Sequence, residues 1–224
     1  MNAEPRYNDT YYKFTQVESR IINLRAGTEI NLKDVDPPLD WNQVFGNGNP
    51  VEIEIGCGKG RFLSKSAKRH PNINYVGVER APKYVQRTKA HLLKQNVTGA
   101  LLVWSDASYF INRFVARGSV KTYHVYFPDP WPKKRQHKRR IFNNKHFIKG
   151  LVRTLDSKVG CIQLATDIPE CYSEICLRLN QFQSLESVPF EAVRADRIRT
   201  CFEIKYLAEG RKIYRAAYCR RHPN

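Results

Sequence analysis

The 224-residue sequence predicts one α/β domain, in which a doubly wound, mostly parallel sheet carries helices on both faces. Short apolar runs alternate with longer amphipathic stretches from about residue 49 onwards, which is the order of repeated β-α-β units. A glycine-rich turn joins the first apolar run to the first amphipathic stretch. The length suffices for one hydrophobic core and is too short for two full domains.

Five short apolar runs are typical of buried strands, and the five amphipathic stretches between them are typical of helices. The strands are expected at Val51–Ile55, Tyr75–Val78, Leu101–Val103, Tyr123–Phe127 and Cys161–Ala165. The helices are expected at Arg61–Arg69, Pro82–Gln95, Ala107–Ala116, Asn143–Leu155 and Ile168–Phe182. Near the C-terminus, Arg199–Glu209 predicts a short helix that Gly210 ends, and Lys212–Arg220 alternates like a last strand.

The chain divides into a leading segment of residues 1–48, which we expect to be partly flexible, and a main domain of residues 49–224. The boundary lies in the turn cluster Gly46–Pro50. The N-terminus lacks the apolar core of a secretory signal, and no apolar run approaches the roughly 18–20 residues of a membrane span. We therefore expect a cytoplasmic protein without a membrane partner.

The charge of the chain favours a polyanionic partner. Lys and Arg number 38 against 21 Asp and Glu, which gives a net charge of +17 at pH 7. Such an excess binds nucleic acid by neutralising phosphates, although a generally basic surface that keeps the protein soluble is the other interpretation. The six cysteines form no CxxC pair, and the histidines have no metal-ligand spacing, so we expect free thiols and no metal.

The segment Val51–Arg61 is a strand, then glycines at alternate positions, then the start of a helix. Gly56, Gly58 and Gly60 permit a sharp turn and a close approach of the backbone to a ligand, although a tight turn alone would also explain them. Arg61 stands where a dinucleotide-binding fingerprint has Gly or Ala. An NAD-dependent enzyme is therefore disfavoured.

Carboxylates mark consecutive predicted strands: Glu54 lies in the first, Glu79 closes the second and Asp106 follows the third. At the common carboxyl edge of the sheet, Glu79 can accept the hydroxyls of a ribose and Asp106 the exocyclic amine of an adenine. Each acid alone could be an ordinary surface residue. Together with a glycine loop that lacks a phosphate-binding Lys-Ser/Thr pair, they favour a cationic adenosine ligand without phosphates. S-adenosylmethionine is such a ligand, and S-adenosylhomocysteine is its demethylated product.

A Pro-fenced segment, Phe127–Arg140, follows the fourth predicted strand. Its prolines stiffen the backbone and fix Asp129 and Trp131 at the active edge, where Trp131 either stacks on a base or packs in the core. Six basic side chains and no acid follow within Lys133–Arg140. This position indicates a clamp for RNA, and a basic loop without chemistry is the alternative.

Several segments resemble the tRNA (guanine-N7)-methyltransferase family, in the same order and from about residue 20 to the C-terminus. They are Glu54–Gly60, Phe127–Arg135, Lys138–Arg140, Ala165–Asp167 and Thr200–Glu203. The resemblance implies a class I, Rossmann-like methyltransferase fold with a seven-stranded sheet. It also implies transfer of a methyl group to N7 of the variable-loop guanine of tRNA, position 46, giving 7-methylguanosine. The enzyme would be a monomer or homodimer.

The resemblance also implies roles for individual residues. The donor would be held by Glu54, Gly56, Gly58, Gly60, Glu79, Asp106, Ala107 and Asp129, with Asp129 also catalytic. The tRNA would be contacted by Lys133, Asp167, Thr200, Phe202 and Glu203. Cys201 stands where the family usually has Lys, which puts a charge contact at that position in doubt.

The expected chemistry makes small demands on acids and bases. Guanine N7 carries an exposed lone pair and needs no deprotonation before it attacks a methyl carbon. Catalysis is then mainly alignment of N7, methyl and sulfur. We hypothesise that Asp129 orients the guanine through its N1–H and exocyclic amine. Two other classes stay open: a non-catalytic tRNA-binding protein with a degenerate donor site, and a methyltransferase for a protein or small molecule.

Overall fold

The computed structural model describes residues 29–193 and 198–221, and within them an eight-stranded sheet lies between helices on both faces. The strands are β1 (Glu29–Ile30), β2 (Val51–Ile55), β3 (Asn74–Glu79), β4 (Ala100–Trp104), β5 (Thr122–Tyr126), β6 (Cys161–Thr166), β7 (Leu185–Val188) and β8 (Tyr214–Arg220). The helices are α1 (Trp41–Phe45), α2 (Arg61–Arg69), α3 (Pro82–Lys94), α4 (Ala107–Phe114), α5 (Lys145–Thr154), α6 (Pro169–Leu179), α7 (Phe190–Val193) and α8 (Cys201–Ala208). Two 3-10 helices, Lys134–Arg139 and Ile141–Asn143, lie between β5 and α5.

The strand order across the sheet is β1-β4-β3-β2-β5-β6-β8-β7. Every pair from β1 to β6 is parallel, and β8 runs antiparallel to both of its neighbours. The order reverses between β2 and β5, so the loops that leave these two strands diverge and open a crevice at the carboxyl edge. The predicted doubly wound, mostly parallel sheet is confirmed.

The predicted count of seven strands was one too low. The additional strand, β1, has two residues and pairs with the outer edge of β4, where Glu29 lies opposite Leu102. Two residues are too few to show an alternating pattern, so only the pairing itself reveals this strand.

The strand β2 shows how the sheet sorts side chains between its two faces. Val51, Ile53 and Ile55 belong to the large hydrophobic cluster that includes residues of α4 and α5. Since successive strand residues point to opposite faces, Glu52 and Glu54 point to the face covered by α2 and α3. Both glutamates are buried, so two carboxylates lie under these helices.

The described part of the leading segment packs on this domain. The Asp40 carboxylate accepts hydrogen bonds from the backbone at the start of α1, and the Trp41 indole donates to Ser119 Oγ at 3.1 Å. Trp41, Val44 and Phe45 are buried in the large cluster. The division of the chain at residue 48 stays a prediction, and residues 1–28 lie outside the described residues.

The expectation of six free thiols was wrong for one pair. Cys161 in β6 and Cys219 in β8 form a disulfide, because the antiparallel pairing places them directly opposite each other. Their sequence separation of 58 residues carries no signal of this pairing. Cys57, Cys171, Cys176 and Cys201 are free. Within residues 29–193 and 198–221, no helix is long and apolar enough to span a membrane, and no cluster of His, Cys, Asp and Glu could hold a metal.

Candidate active site

The loops at the carboxyl edge of the sheet bring together most of the predicted site residues. The glycine loop follows β2, Glu79 ends β3, Asp106 follows β4, Asp129 follows β5 and Asp167 follows β6. The glycine loop and the Asp129 loop flank the point where the strand order reverses. Ligands of open α/β sheets bind at such a point, so this edge is the candidate active site.

The glycine loop has a backbone that other residues rarely adopt. Gly56, Gly58 and Gly60 have φ angles of 75°, 55° and 70°, all in the left-handed region. A Cβ on Gly60 would lie 2.4 Å from Cγ2 of the buried Thr88. The same threonine donates a hydrogen bond from Oγ1 to the carbonyl of Gly58 at 2.7 Å. The loop is therefore fixed by its glycines and by its contact with α3.

Backbone amides orient two of the predicted donor-binding acids. The Glu79 carboxylate accepts hydrogen bonds from the backbone N–H of Gly58 at 3.1 Å and of Ala81 at 2.8 Å. Asp106 caps α4, with Oδ1 accepting from the backbone N–H of Tyr109 at 3.0 Å, and Ala107 is the buried first residue of that helix. Glu79 therefore ties the end of β3 to the glycine loop.

Glu54 is the most unusual acid of the site. Its side chain is 4% exposed, and its Oε2 has no hydrogen-bond partner among the described residues. Burial raises the pKa of this carboxyl well above its usual value; the backbone N–H of Leu63 opposes the shift, and the charge of Glu79 adds to it. A buried carboxyl with a free oxygen suits a cationic ligand, because a positive charge would stabilise its ionised form. The sulfonium and amino groups of S-adenosylmethionine meet that requirement.

The Asp129 loop holds two residues in strained conformations. Phe127 and Trp131 have φ angles of 51° and 43°, in the left-handed region that costs a non-glycine residue about 1–3 kcal/mol. The backbone N–H of Phe127 donates to the carbonyl of Ala165 at 2.7 Å and so anchors the start of the loop on β6. Asp129 itself is exposed.

Most of the basic segment that follows the Asp129 loop lies in a 3-10 helix, and a second, shorter 3-10 helix follows it. Lys133 precedes the first of them and is exposed. Its contact with tRNA stays a prediction. The Arg139 guanidinium lies 5.0 Å from the centre of the Trp131 ring, a cation–π contact that covers one side of the indole. Trp131 is half-buried, so both of its predicted roles stay open.

The remaining predicted tRNA contacts divide into paired and exposed side chains. Asp167 forms an ion pair with Arg211 at 2.9 Å. Thr200 caps α8 by accepting a hydrogen bond from the backbone N–H of Glu203 at 3.1 Å. Glu203 is 5% exposed and pairs with Arg215 at 2.5 Å. Phe202, by contrast, is 49% exposed. In this state Thr200 and Glu203 build α8, whereas Phe202 faces outward.

Exposed aromatic carbon lies close to Asp129. The ring centroid of Phe127 is 6.3 Å from that of Phe202 and 5.5 Å from that of Tyr206. These rings connect the Asp129 loop to α8 and form a surface on which a planar base can stack. Sequence reasoning identified Phe202 through the family motif but gave no signal for its contact with Phe127.

A buried polar chain beside the site also escaped the sequence analysis. His124 Nε2 lies 2.8 Å from Glu52 Oε2, and its Nδ1 lies 3.0 Å from the Tyr126 hydroxyl. The Tyr126 hydroxyl donates to Gln163 Oε1 at 3.0 Å. These residues link β2, β5 and β6 on one face of the sheet. The alternation of polar residues in strands that are otherwise apolar was the available signal.

Known proteins resemble this chain in sequence and in fold. A family model described as "Putative methyltransferase" matches residues 48–216. A tRNA (guanine-N(7)-)-methyltransferase of Geobacillus thermodenitrificans is 34% identical over 179 residues, which cover 78% of this chain and 82% of the relative. A protein of the same name from Listeria monocytogenes is 36% identical, with the same coverage of both chains. The solved 16S rRNA methyltransferase KamB shares the fold, with a TM-score of 0.54 at 14% identity over 88% of this chain and 98% of that one.

Proposed function

Because this chain belongs to the family of tRNA (guanine-N(7)-)-methyltransferases, we propose that it methylates N7 of the variable-loop guanine of tRNA, position 46, with S-adenosylmethionine as donor. The observation that carries the proposal is the buried Glu54 carboxyl, whose Oε2 has no partner among the described residues. It lies beside a glycine loop whose shape is already set. A phosphate group would be repelled at this place, whereas a cationic donor is attracted to it.

The donor site comprises Glu54, Gly56, Gly58, Gly60, Glu79, Asp106, Ala107 and Asp129. Glu54 faces the positive charge of the donor, and the glycines let the backbone come close to it. Glu79 and Asp106, oriented by backbone amides, bind the ribose hydroxyls and the adenine amine. S-adenosylmethionine, when bound, supplies an electrophilic methyl carbon on a positively charged sulfur.

The substrate side of the site orients guanine. N7 has a lone pair and needs no base, so the chain contributes alignment rather than proton transfer. Asp129 accepts hydrogen bonds from N1–H and the exocyclic amine, which turns N7 toward the donor. Phe202 and Phe127 offer aromatic carbon to the extruded base. Lys133 neutralises a phosphate of the same strand.

The contact of Asp167, Thr200 and Glu203 with tRNA stays a prediction, and these residues also act on the substrate side through their partners in the protein. The Asp167–Arg211 pair lies next to Tyr206, whose ring centre is 4.4 Å from the Arg211 guanidinium. The Thr200 cap and the Glu203–Arg215 pair hold α8, and with it Phe202, against the Asp129 loop. Loss of any of these contacts is expected to move the aromatic surface.

The test is transfer of labelled methyl groups from S-adenosylmethionine to an unmodified tRNA transcript, with the product nucleosides separated by mass. We expect 7-methylguanosine, and we expect it to vanish when the variable-loop guanine is replaced by adenine. Donor binding without transfer to any transcript would contradict the proposed activity. Binding of tRNA without donor binding would instead favour the non-catalytic RNA-binding class.

A further inference from the structure

Arg140 differs from the other basic residues of the segment Lys133–Arg140. Lys133, Lys134, Arg135, Lys138 and Arg139 are exposed, whereas Arg140 is only 7% exposed. Arginines that bind phosphate groups keep the guanidinium accessible. The burial of Arg140 therefore indicates that its partners lie within the protein.

The guanidinium of Arg140 has three protein partners. Its Nε donates to the carbonyl of Pro130 at 2.7 Å, its Nη1 pairs with Glu174 in α6 at 2.8 Å, and its Nη2 lies 2.9 Å from His137 Nε2. Burial alone would raise the pKa of Glu174, but hydrogen bonds from Arg140, Asn143 and Arg178 outweigh it and lower the pKa. Glu174 is therefore a charged partner for Arg140 at neutral pH.

The carbonyl of Pro130 belongs to the strained loop that carries Asp129. Within the described part of the chain, the hydrogen bond from Arg140 is the one hydrogen bond that reaches the stretch 128–132. Left-handed Phe127 precedes this stretch and left-handed Trp131 lies within it, so the loop needs external contacts to stay in its present shape. Arg139 contacts the Trp131 ring, whereas Arg140 supplies the hydrogen bond and connects the loop to α6.

We propose that Arg140 is a positioning residue: it holds the Asp129 loop in its strained conformation through the Pro130 carbonyl, and Glu174 fixes its guanidinium. This inference rests on the proposed function, because it assigns Asp129 to the orientation of guanine. Arg140 then acts on the rate of methyl transfer and not on the affinity for tRNA. The exposed Arg135 of the same segment is expected to do the opposite, because an exposed arginine can neutralise a phosphate of the tRNA.

The test compares Arg140→Ala with Arg135→Ala, two variants that lose the same charge in the same segment. We expect Arg140→Ala to lower kcat roughly 100-fold with KM for tRNA within about threefold, because small misplacement of a reacting group has that order of effect. We expect Arg135→Ala to raise KM for tRNA and leave kcat near that of the wild type. Arg178→Ala removes the other arginine that contacts Glu174 and leaves Arg140 in place, so its kcat should stay unchanged.

Addition of guanidinium at millimolar concentration should restore part of kcat in Arg140→Ala, an effect that a general loss of stability would not produce. Glu174→Gln keeps an acceptor for Arg140 and should show a smaller fall in kcat with an unchanged KM; it also gives a readout if Arg140→Ala fails to fold. A rise in KM with normal kcat in Arg140→Ala would overturn the inference. Wild-type kinetics in both Arg140→Ala and Glu174→Gln would also overturn it. Absence of methyl transfer in the wild-type enzyme would instead refute the proposed function.

Discussion

The two halves of the active edge differ in the groups that their carboxylates contact. In the donor half, formed by the loops after β2, β3 and β4, Glu79 and Asp106 meet backbone amides and Glu54 keeps a free oxygen. In the substrate half, formed by the loops after β5 and β6, by α6 and by α8, three carboxylates meet arginines: Asp167 pairs with Arg211, Glu174 with Arg140 and Glu203 with Arg215. Asp129, in the loop after β5, stays exposed.

This difference separates two opposite electrostatic tasks. The donor half leaves its negative charge available to a cationic ligand. The substrate half pairs three of its carboxylates internally and leaves Asp129 exposed for the guanine, so that the remaining exposed charge is that of the Lys and Arg side chains that face the polyanion. Between residues 55 and 155 the sequence has three carboxylates, Glu79, Asp106 and Asp129, against 22 Lys and Arg residues. All three carboxylates lie at the active edge.

Gly60→Ala should abolish binding of the donor. The added Cβ would lie 2.4 Å from Thr88 Cγ2, and alanine would be held at a φ of 70°. Left-handed strain and overpacking together cost about 2–5 kcal/mol. We expect donor binding below detection by calorimetry. Gly48→Ala is the control, because a Cβ there meets nothing within 4 Å and should leave donor binding intact. Wild-type donor affinity in Gly60→Ala would show that the loop shape is unimportant.

Glu203→Ala should lower the folding stability of the protein by breaking an ion pair in the substrate half. It leaves Arg215 without its buried partner, which we expect to cost about 2–3 kcal/mol, since breaking a fully buried pair costs roughly 3–5 kcal/mol. For a chain of this size the melting temperature should fall by about 4–12 °C. Phe202→Ala should instead keep the melting temperature and lower the affinity for tRNA. Equal melting temperatures for the wild type and Glu203→Ala would show that Glu203 has no structural role.

The two halves also differ in how far the sequence predicts them. The donor half was predictable, because strand periodicity and the order of Glu54, Glu79 and Asp106 place these acids at one edge. The pairs of the substrate half were not, because Arg140 and Glu174 are 34 residues apart and meet only through the packing of α6 on the Asp129 loop.

Local signals carried part of the remainder. Thr200 and Glu203 have the Thr-x-x-Glu spacing of a helix capping box, so their structural role could have been recognised from sequence. The strand β7 was not among the runs identified, because its polar residues Glu186 and Ser187 interrupt the apolar pattern. The disulfide between Cys161 and Cys219 depends on strand register, which spacing does not encode.

Glu54→Gln should weaken donor binding and stabilise the free protein. A charge-assisted contact is worth about 1.5–3 kcal/mol, so we expect a loss of donor affinity of about 10–100-fold. Because burial raises the pKa of Glu54, the folded protein holds a proton that the unfolded chain has released. The free energy of unfolding then falls as pH rises from the usual pKa of Glu toward the folded pKa, and stays lower above it.

The glutamine variant should lack this decline and melt at a higher temperature than the wild type at neutral pH. The two effects are measured by donor titration and by thermal unfolding from pH 4 to pH 8. Wild-type donor affinity should also rise with pH through the pKa of Glu54, and the variant should lose that dependence. A variant that melts lower than the wild type at neutral pH would contradict the assignment.

Lys133→Ala should have the smallest effect, confined to binding of tRNA. Loss of one phosphate contact should reduce the slope of log affinity against log salt by roughly 0.7–0.9. Donor affinity and the melting temperature should not change, since Lys133 is exposed. Lys158→Ala, just before β6 at the opposite edge of the sheet, removes the same charge and should leave the slope unchanged. A slope in Lys133→Ala equal to that of the wild type would place Lys133 outside the tRNA interface.

The central claim, that Asp129 orients guanine between the two halves, is tested most directly by the single-turnover rate of Asp129→Ala, at saturating tRNA and donor. Asp129 is exposed, so the variant should fold like the wild type. We expect methyl transfer at least 100-fold slower, about 2.7 kcal/mol in the activation barrier, even when enough donor is present to saturate the variant. A transfer rate near that of the wild type, with donor and tRNA both bound, would contradict the claim.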